Sequence, residues 1–344
     1  MTDLKKMLAA LSSLMGTPGY EAYDADALRA LVLPYFDAYE SDNVNNHIFI
    51  KRCGQTNAPK LLIDTHYDEI GMIVSGIFDG GFLSVAATGG MDRRTMPAGE
   101  VTVWGKNREQ LYGVIVSTPP HLASGDRSKL PAMTEFRIDT GYDREVLEQK
   151  VELGAPVTMI DRGCDLLGGY VSGKAFDNRS SVAAAVAAIA DIDAGQLAYD
   201  VILAVSAKEE TGMNGPKMVA FRYRPDLALV VDVNIARTPG VDADSSVKCG
   251  DGAAISLSAV TDRRLTRRLI DLAAGRGIRH QTVVEATGTG TNAEALTLVG
   301  AGVPVAVAGV PLKRMHMPTE TLLMSDLEAL RDLLAAAVTS EKLL

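Results

Sequence analysis

Residues 60–71 read KLLIDTHYDEIG, an apolar run suited to a buried strand that gives way to His66 and Asp68. Lys60 to Ile63 is one of four short apolar runs rich in β-branched residues, the others being Val201 to Val205, Leu227 to Val231 and Val303 to Ala308. Segments of helical periodicity flank them, at Leu4 to Leu14, Ala22 to Leu33, Ser180 to Ile192, Asp262 to Ala274, Ala293 to Leu298 and Ser325 to Val338. Strands separated by helices predict an α/β fold, an α/β/α sandwich around a mixed, largely parallel sheet.

The stretch from Val74 to Asp165 breaks this pattern. Gly80-Gly81, Gly89-Gly90, Gly99, Gly105, Gly113 and Pro119-Pro120 punctuate short strand-like runs such as VTVW and LYGVIVS. The expected organisation is a discontinuous host, residues 1–73 and 166–344, carrying a small inserted β-rich domain at 74–165. A chain of 344 residues has the length for both.

Bulk properties exclude several partners. With 47% hydrophobic and 22% charged residues the composition is that of a soluble globular protein. The longest apolar stretch, Val182 to Ala190, is bounded by Arg179 and Asp191 and is too short to span a bilayer, so it reads as a packed helix. A net charge of -9 opposes attraction to a phosphate backbone or an anionic membrane, and neither nucleic acid nor membrane is an expected partner. The N-terminal segment lacks a secretory pattern and reads as the first helix. Cys53, Cys164 and Cys249 stand apart without CxxC spacing, which fits a reducing cytoplasm.

Five places put a carboxylate or histidine just after an apolar strand-like run, where open α/β sheets build their sites. They are His66 with Asp68, Asp177 in GKAFDNR, Glu209 and Glu210 in VILAVSAKEETG, Asp232 in LALVVDVN, and His316 in VPVAVAGVPLKRMHMP. Singly, each has an ordinary explanation: a packed histidine, a helix cap at Asp177, a solvated turn at Glu209-Glu210. Asp232 is harder to dismiss, because a carboxylate directly after LALVV is costly to bury without a partner. Together they offer nitrogen and oxygen ligands suited to zinc, cobalt or manganese, with no thiolate nearby. The economical arrangement is a dinuclear site, in which one carboxylate bridges two cations about 3.5–4 Å apart and a bound water is activated. A separate carboxylate must then take the water's proton, so Glu209 and Glu210 would supply one base and one ligand. Asp68 is placed to hold the His66 imidazole in its ligating tautomer.

The motifs HYDEIG, GGMDRRTMPAG, STPPHL, GKAFDNR, SAKEETGMNG, VVDVN, GTNAEAL and KRMHMPTE, in this order over nearly the whole chain, resemble the tetrahedral aminopeptidase family. That family includes glutamyl, leucyl and lysyl aminopeptidases, and some relatives have been labelled endoglucanases. The resemblance implies two divalent metal ions, zinc or cobalt with manganese as an option. His66, Asp177 and Asp232 would hold one, and Asp177, Glu210 and His316 the other, with Asp177 bridging and Glu209 as general base. It implies that the inserted domain builds dimers and often a hollow dodecamer, and that peptides are the substrate. The chain departs from the family at Asn178 and Asn292, where Asp is usual, removing charge that orients ligands or meets a substrate amine.

The implied reaction is hydrolysis of the N-terminal residue of a peptide, with the α-amine anchored at one metal and the carbonyl at the other. A glycoside hydrolase is the rival enzyme, but it needs carboxyl groups roughly 5–9.5 Å apart across a sugar bond, which adjacent Glu209 and Glu210 do not obviously offer. A non-catalytic assembly scaffold is the rival of another class, and it would need none of these ligands. Gly288, Gly290 and Asn292 in ATGTGTNAEA line a substrate pocket or form a strand-to-helix turn. His121 reads as a turn residue or as a contact to a neighbouring subunit's site, and His47 and His280 carry no functional reading.

Overall fold

The computed structural model describes residues 2–118 and 130–343. Helices α1 (Leu4–Ser12) and α2 (Ala25–Val32) lead into strands β1 (Ala38–Ser41), β2 (His47–Lys51) and β3 (Lys60–His66). The chain then leaves the sheet for β4 (Gly71–Phe78), β5 (Phe82–Thr88), β6 (Glu100–Trp104), β7 (Gln110–Val116), β8 (Arg137–Asp139), helix α3 (Arg144–Lys150) and β9 (Pro156–Met159). It returns through β10 (Cys164–Asp165), β11 (Tyr170–Gly173), α4 (Phe176–Ala190), β12 (Asp200–Ser206), α5 (Gly215–Tyr223) and β13 (Leu227–Ile235). The last part is β14 (Ala253–Ser258), α6 (Arg263–Gly275), β15 (His280–Glu285), α7 (Ala293–Leu296), β16 (Val305–Lys313), β17 (Glu320–Leu323) and α8 (Met324–Val338).

The large sheet runs β1-β2-β12-β3-β13-β16-β17-β11-β10, with β14 and β15 branching from β16. Its centre is parallel: β12 with β3, β3 with β13, and β13 with β16. Alternation along the strands gives each face its own core. Leu61, Ile63, Leu203 and Val205 pack with the helices α1, α4 and α8, while Leu62, Ile202, Ala204 and Val230 pack with residues of α5 and α7. The result is the three-layer α/β/α arrangement anticipated from the alternating pattern.

Helix α4 is apolar around almost its whole circumference and buried along nearly its whole length, because small alanines let it lie against α1, α8 and the sheet. This is the Val182 to Ala190 segment read as a packed helix. No helix among the described residues is long and apolar enough to cross a membrane.

The inserted strands form a closed antiparallel barrel, β4-β5-β8-β7-β6-β9. Closure leaves no unpaired edge, and Met72, Val74, Leu83, Val101, Ile115 and Val157 fill a core separate from that of the sheet. The first barrel strand begins five residues after His66, so the barrel is rooted at the carboxyl edge of the central sheet.

Candidate metal centre

Parallel register gathers the predicted side chains at that edge. His66 ends β3 and pairs with Ser206 of β12, from which the turn bearing Glu209 and Glu210 departs. On the other side of β3, Asp64 pairs with Val230, so Asp232 continues β13 alongside His66. Asp232 pairs in turn with Gly309 of β16. A Cβ on Gly309 would lie 2.4 Å from the Asp232 carbonyl oxygen, so this close approach requires glycine. Asp177 opens α4 with non-helical angles, φ -78 and ψ 102, after Ala175 in the left-handed region at φ 54. His316 lies in the β16–β17 connection at φ 62.

Asp177 stands between the two histidines. Its Oδ1 is 3.0 Å from His66 Nε2, and its Oδ2 is 3.5 Å from His316 Nε2. Asp232 Oδ1 lies 3.7 Å from His66 Nε2, and Glu210 Oε2 lies 3.6 Å from His316 Nε2. Three sets of donors therefore converge within 4.8 Å: His66, Asp177 and Asp232; Asp177, Glu210 and His316; and His66, Glu209 and Glu210.

Asp68 divides its work differently from the expectation. The His66 Nδ1–H donates to the backbone carbonyl of Asp68 at 2.9 Å, while the nearest carboxylate oxygen is 3.7 Å away. That carboxylate instead accepts the backbone N–H of Glu209 through Oδ1 and of Glu210 through Oδ2, each at 3.0 Å. The imidazole Nδ1 is thus held by main chain, which frees the side chain to clamp the Glu209-Glu210 turn. Asn46 secures the same turn, its Oδ1 accepting the Ala207 N–H at 2.8 Å.

The cluster is rich in buried acid. Burial pushes the Glu209 carboxyl up to about 7 and Glu210 up to about 8, with the Asp177 charge adding to both. Burial likewise raises Asp232 well above the carboxylate range. Asp177 moves down despite its burial, because His316 and His66 both hydrogen-bond it. The Asp177 hydrogen bond lifts His316 to about 9, and for His66 burial is overcome by Asp177 and by the charges of Asp232 and Glu209. Among the described residues the ion-pair partners of Asp177 and Asp232 are imidazoles alone. The nearby Lys174 ammonium is committed to both oxygens of Glu69, at 2.8 and 2.7 Å. So much negative charge out of water calls for cations, and the imidazole and carboxylate donors fit divalent zinc, cobalt or manganese. None of Cys53, Cys164 and Cys249 joins these sets.

Other readings come out differently. Asn292 is buried, and its Nδ2 donates to Asp64 Oδ2 at 2.8 Å and to Ser206 Oγ at 2.9 Å. Gly288 and Gly290 belong to a turn held by Glu294, whose Oε1 accepts the N–H groups of Thr289 and Gly290 at 3.1 and 3.0 Å. Asn178 is buried as well, its Nδ2 donating to the Val231 carbonyl at 2.9 Å, a bond that an ionised Asp could not make. His121 lies outside the described residues. His47 and His280 are held by local hydrogen bonds away from the cluster. Glu320 was not singled out from sequence; it is buried against Asp177 and His316, and its one sequence signal is its place four residues after His316.

A sheet with such a cluster at the carboxyl ends of its parallel strands has the design of a hydrolase that works with divalent cations. The M42 glutamyl aminopeptidase family model matches residues 46–333, and the chain belongs to that family of peptidases. The structure superposes on an aminopeptidase from the archaeon Desulfurococcus kamchatkensis with a TM-score of 0.90, covering 98% of this chain and 94% of that one at 28% identity. It matches the TET1 peptidase of Pyrococcus horikoshii, which can assemble into a tetrahedron or a large octahedral shell, with a TM-score of 0.85 over 98% and 99% of the two chains at 29% identity. In sequence it is 24% identical to the glutamyl aminopeptidase of Lactococcus lactis subsp. cremoris over 98% of this chain and 96% of that one.

Proposed function

We propose that this peptidase is an aminopeptidase that removes N-terminal residues from peptides with two divalent metal ions, zinc or cobalt with manganese as an alternative. His66, Asp177 and Asp232 hold one ion, and Asp177, Glu210 and His316 hold the other. The observation that carries this reading is Asp177 itself, whose two oxygens face histidines of two different donor sets. Bound there, the ions supply Lewis-acid polarisation of the scissile carbonyl and a lowered pKa for water.

Glu209 is the general base. It stands with His66 and Glu210 in the third donor set, yet neither of the other two sets needs it as a ligand. Its carboxylate takes a proton from the attacking water as the C–O bond forms, then delivers that proton to the leaving amine as the C–N bond breaks. Asp68 fixes the base by holding the backbone amides of Glu209 and Glu210.

The host carries this chemistry, and the inserted barrel, β4 to β9, forms a dimerisation domain; its strands run from Gly71 to Met159 rather than over the expected 74–165, since Cys164 and Asp165 return to the large sheet. The closed barrel with a core of its own supports that division. The likeness to the TET1 peptidase, which can assemble into a tetrahedron or a large octahedral shell and is also seen as a dodecamer, supports self-association, which we read as dimers and a dodecamer, and the free cysteines suit a cytoplasmic setting.

The test is hydrolysis of a panel of aminoacyl-p-nitroanilides by chelated protein resupplied with zinc or cobalt, beside Glu209→Gln. Activity that returns with metal and falls on the order of 10²–10⁴-fold in the variant is the expected result. Metal-independent turnover, or an unimpaired variant, overturns the mechanism.

A further inference from the structure

Glu320 is 2% exposed, and its carboxylate is spent on two backbone donors from distant parts of the chain. Oε2 accepts the Asp177 N–H at 2.9 Å, and Oε1 accepts the His316 N–H at 3.1 Å. Both residues belong to the donor set completed by Glu210, and Asp177 is shared with the set of His66 and Asp232. Neither sits in regular backbone. Asp177 is outside the helical region although α4 has begun, and His316 is left-handed, a conformation that needs local support in a residue with a side chain.

Glu320 itself stands on rigid structure. It opens β17 and pairs with Gly173 of β11, and its carbonyl accepts the Ser172 hydroxyl at 2.8 Å. One buried carboxylate on a sheet thus grips two otherwise irregular segments, through hydrogen bonds strengthened by its charge. By contrast, His66 and Asp232 lie on strands of the central sheet and need no such clamp.

We infer that Glu320 is a positioning residue that sets the spacing of Asp177 and His316 and so shapes the Asp177, Glu210, His316 set for its ion, the other set feeling it through the shared Asp177 alone. The inference rests on the dinuclear reading above. Glu320→Gln keeps the side chain's shape but turns an amide N–H₂ towards one of the two donors, while Glu320→Asp keeps the charge and is too short to reach both.

The experiment is calorimetric titration of zinc into the chelated full-length chain, with melting curves of the metal-free protein and steady-state kinetics alongside. Expected are two equivalents in the parent. In Glu320→Gln one equivalent should be weakened on the order of 10–100-fold and the other, reached through Asp177 alone, by less, with kcat lowered and KM retained. Glu320→Asp should fall between the two, and it carries the same comparison should Glu320→Gln not fold. Thr321→Val removes the neighbouring hydroxyl's contacts with Ser172 and with the Arg314 guanidinium but leaves both Glu320 clamps in place; it should lower the melting temperature and leave both zinc affinities alone. Parental affinity for both equivalents in the Glu320 variants overturns the inference, as does an equal loss in Thr321→Val. A parent that binds fewer than two equivalents overturns the dinuclear reading instead.

Discussion

Asp68 Oδ1 accepts the backbone N–H of Glu209 at 3.0 Å, so the proposed base, in the turn after β12, is held by an aspartate from the turn after the neighbouring strand β3. The second oxygen does the same for Glu210. Asp68→Asn would set an amide N–H₂ against one of these donors while leaving the Asp68 carbonyl, and with it the His66 tautomer, in place. The expected outcome is a kcat lowered on the order of 10–100-fold with KM retained. If kcat holds while the metal-free protein melts earlier, the clamp stabilises the fold and leaves catalysis alone.

Asn292 answers to Asp64, not to solvent. Asn292→Asp replaces the donor facing the buried Asp64 carboxyl with a second acid, and the expected cost is on the order of 1–3 kcal/mol. Denaturant unfolding should show the midpoint falling with an unchanged slope, and kcat and KM per folded molecule should stay at parental values. A KM shift at unchanged stability would restore the pocket role expected from the sequence.

His47 supplies a pH dependence. Its Nε2–H donates to the Glu21 carbonyl at 3.0 Å, so its Nδ1 accepts from the Tyr39 hydroxyl at 2.9 Å, and both contacts suit a neutral ring. Burial holds its pKa below the ordinary value, with the Arg179 charge assisting and the Glu21 carbonyl and Asp42 opposing. Tyr67 also packs on the ring, edge to face. With the folded value lowered, the unfolded chain takes up the proton first. His47 therefore weakens the fold as pH drops below about 6.5, by at most about 1.4 kcal/mol per unit. In chelated protein, His47→Gln should flatten the stability slope between about pH 7.5 and 5.5 relative to the parent. Parallel slopes would show that His47 does not differ between the folded and unfolded states.

Legibility followed how local each signal was. β3, β12, β13 and β16 announce themselves as apolar runs, and the helices α1, α2, α4, α6 and α8 as periodic ones, because burial writes the pattern within a few residues. β14 and β15 passed unmarked, as did α5, whose weak apolar pattern puts Met218 and Phe221 on the outside. The candidate ligands could be read because each stands just after a strand's apolar run. The backbone partners of the Asp68 carboxylate could not, since they depend on the parallel register that places Ser206 opposite His66. Glu320 was hidden for a related reason: its partners are backbone amides, and no residue type marks an amide that needs an acceptor. The Gly288 to Asn292 segment showed its glycines in the sequence but not that Glu294 and Asp64 take up its donors.

Gly90 ties the barrel to the metal centre. The chain leaving β5 passes so close to the site that a Cβ on Gly90 would lie 3.0 Å from His316 Nδ1 and 3.4 Å from its Cε1, and the Asp92 N–H donates to the His316 carbonyl at 3.3 Å. Gly90 is not among the residues with positive φ, so alanine there is compatible with the backbone and its effect is steric, directed at one imidazole. Displacing a reacting group by 1 Å costs about 10²-fold. A shift of a few tenths of an ångström should therefore lower kcat of Gly90→Ala several-fold, up to about tenfold, with the fold's melting temperature little changed. Met91→Ala, on the same loop, is the comparison. If only the Gly90 variant loses rate and zinc affinity, the barrel wall sets the position of a host ligand, and any motion of the barrel would be felt at His316. If neither variant changes, the imidazole has room to yield, and the glycine serves the path of the loop alone.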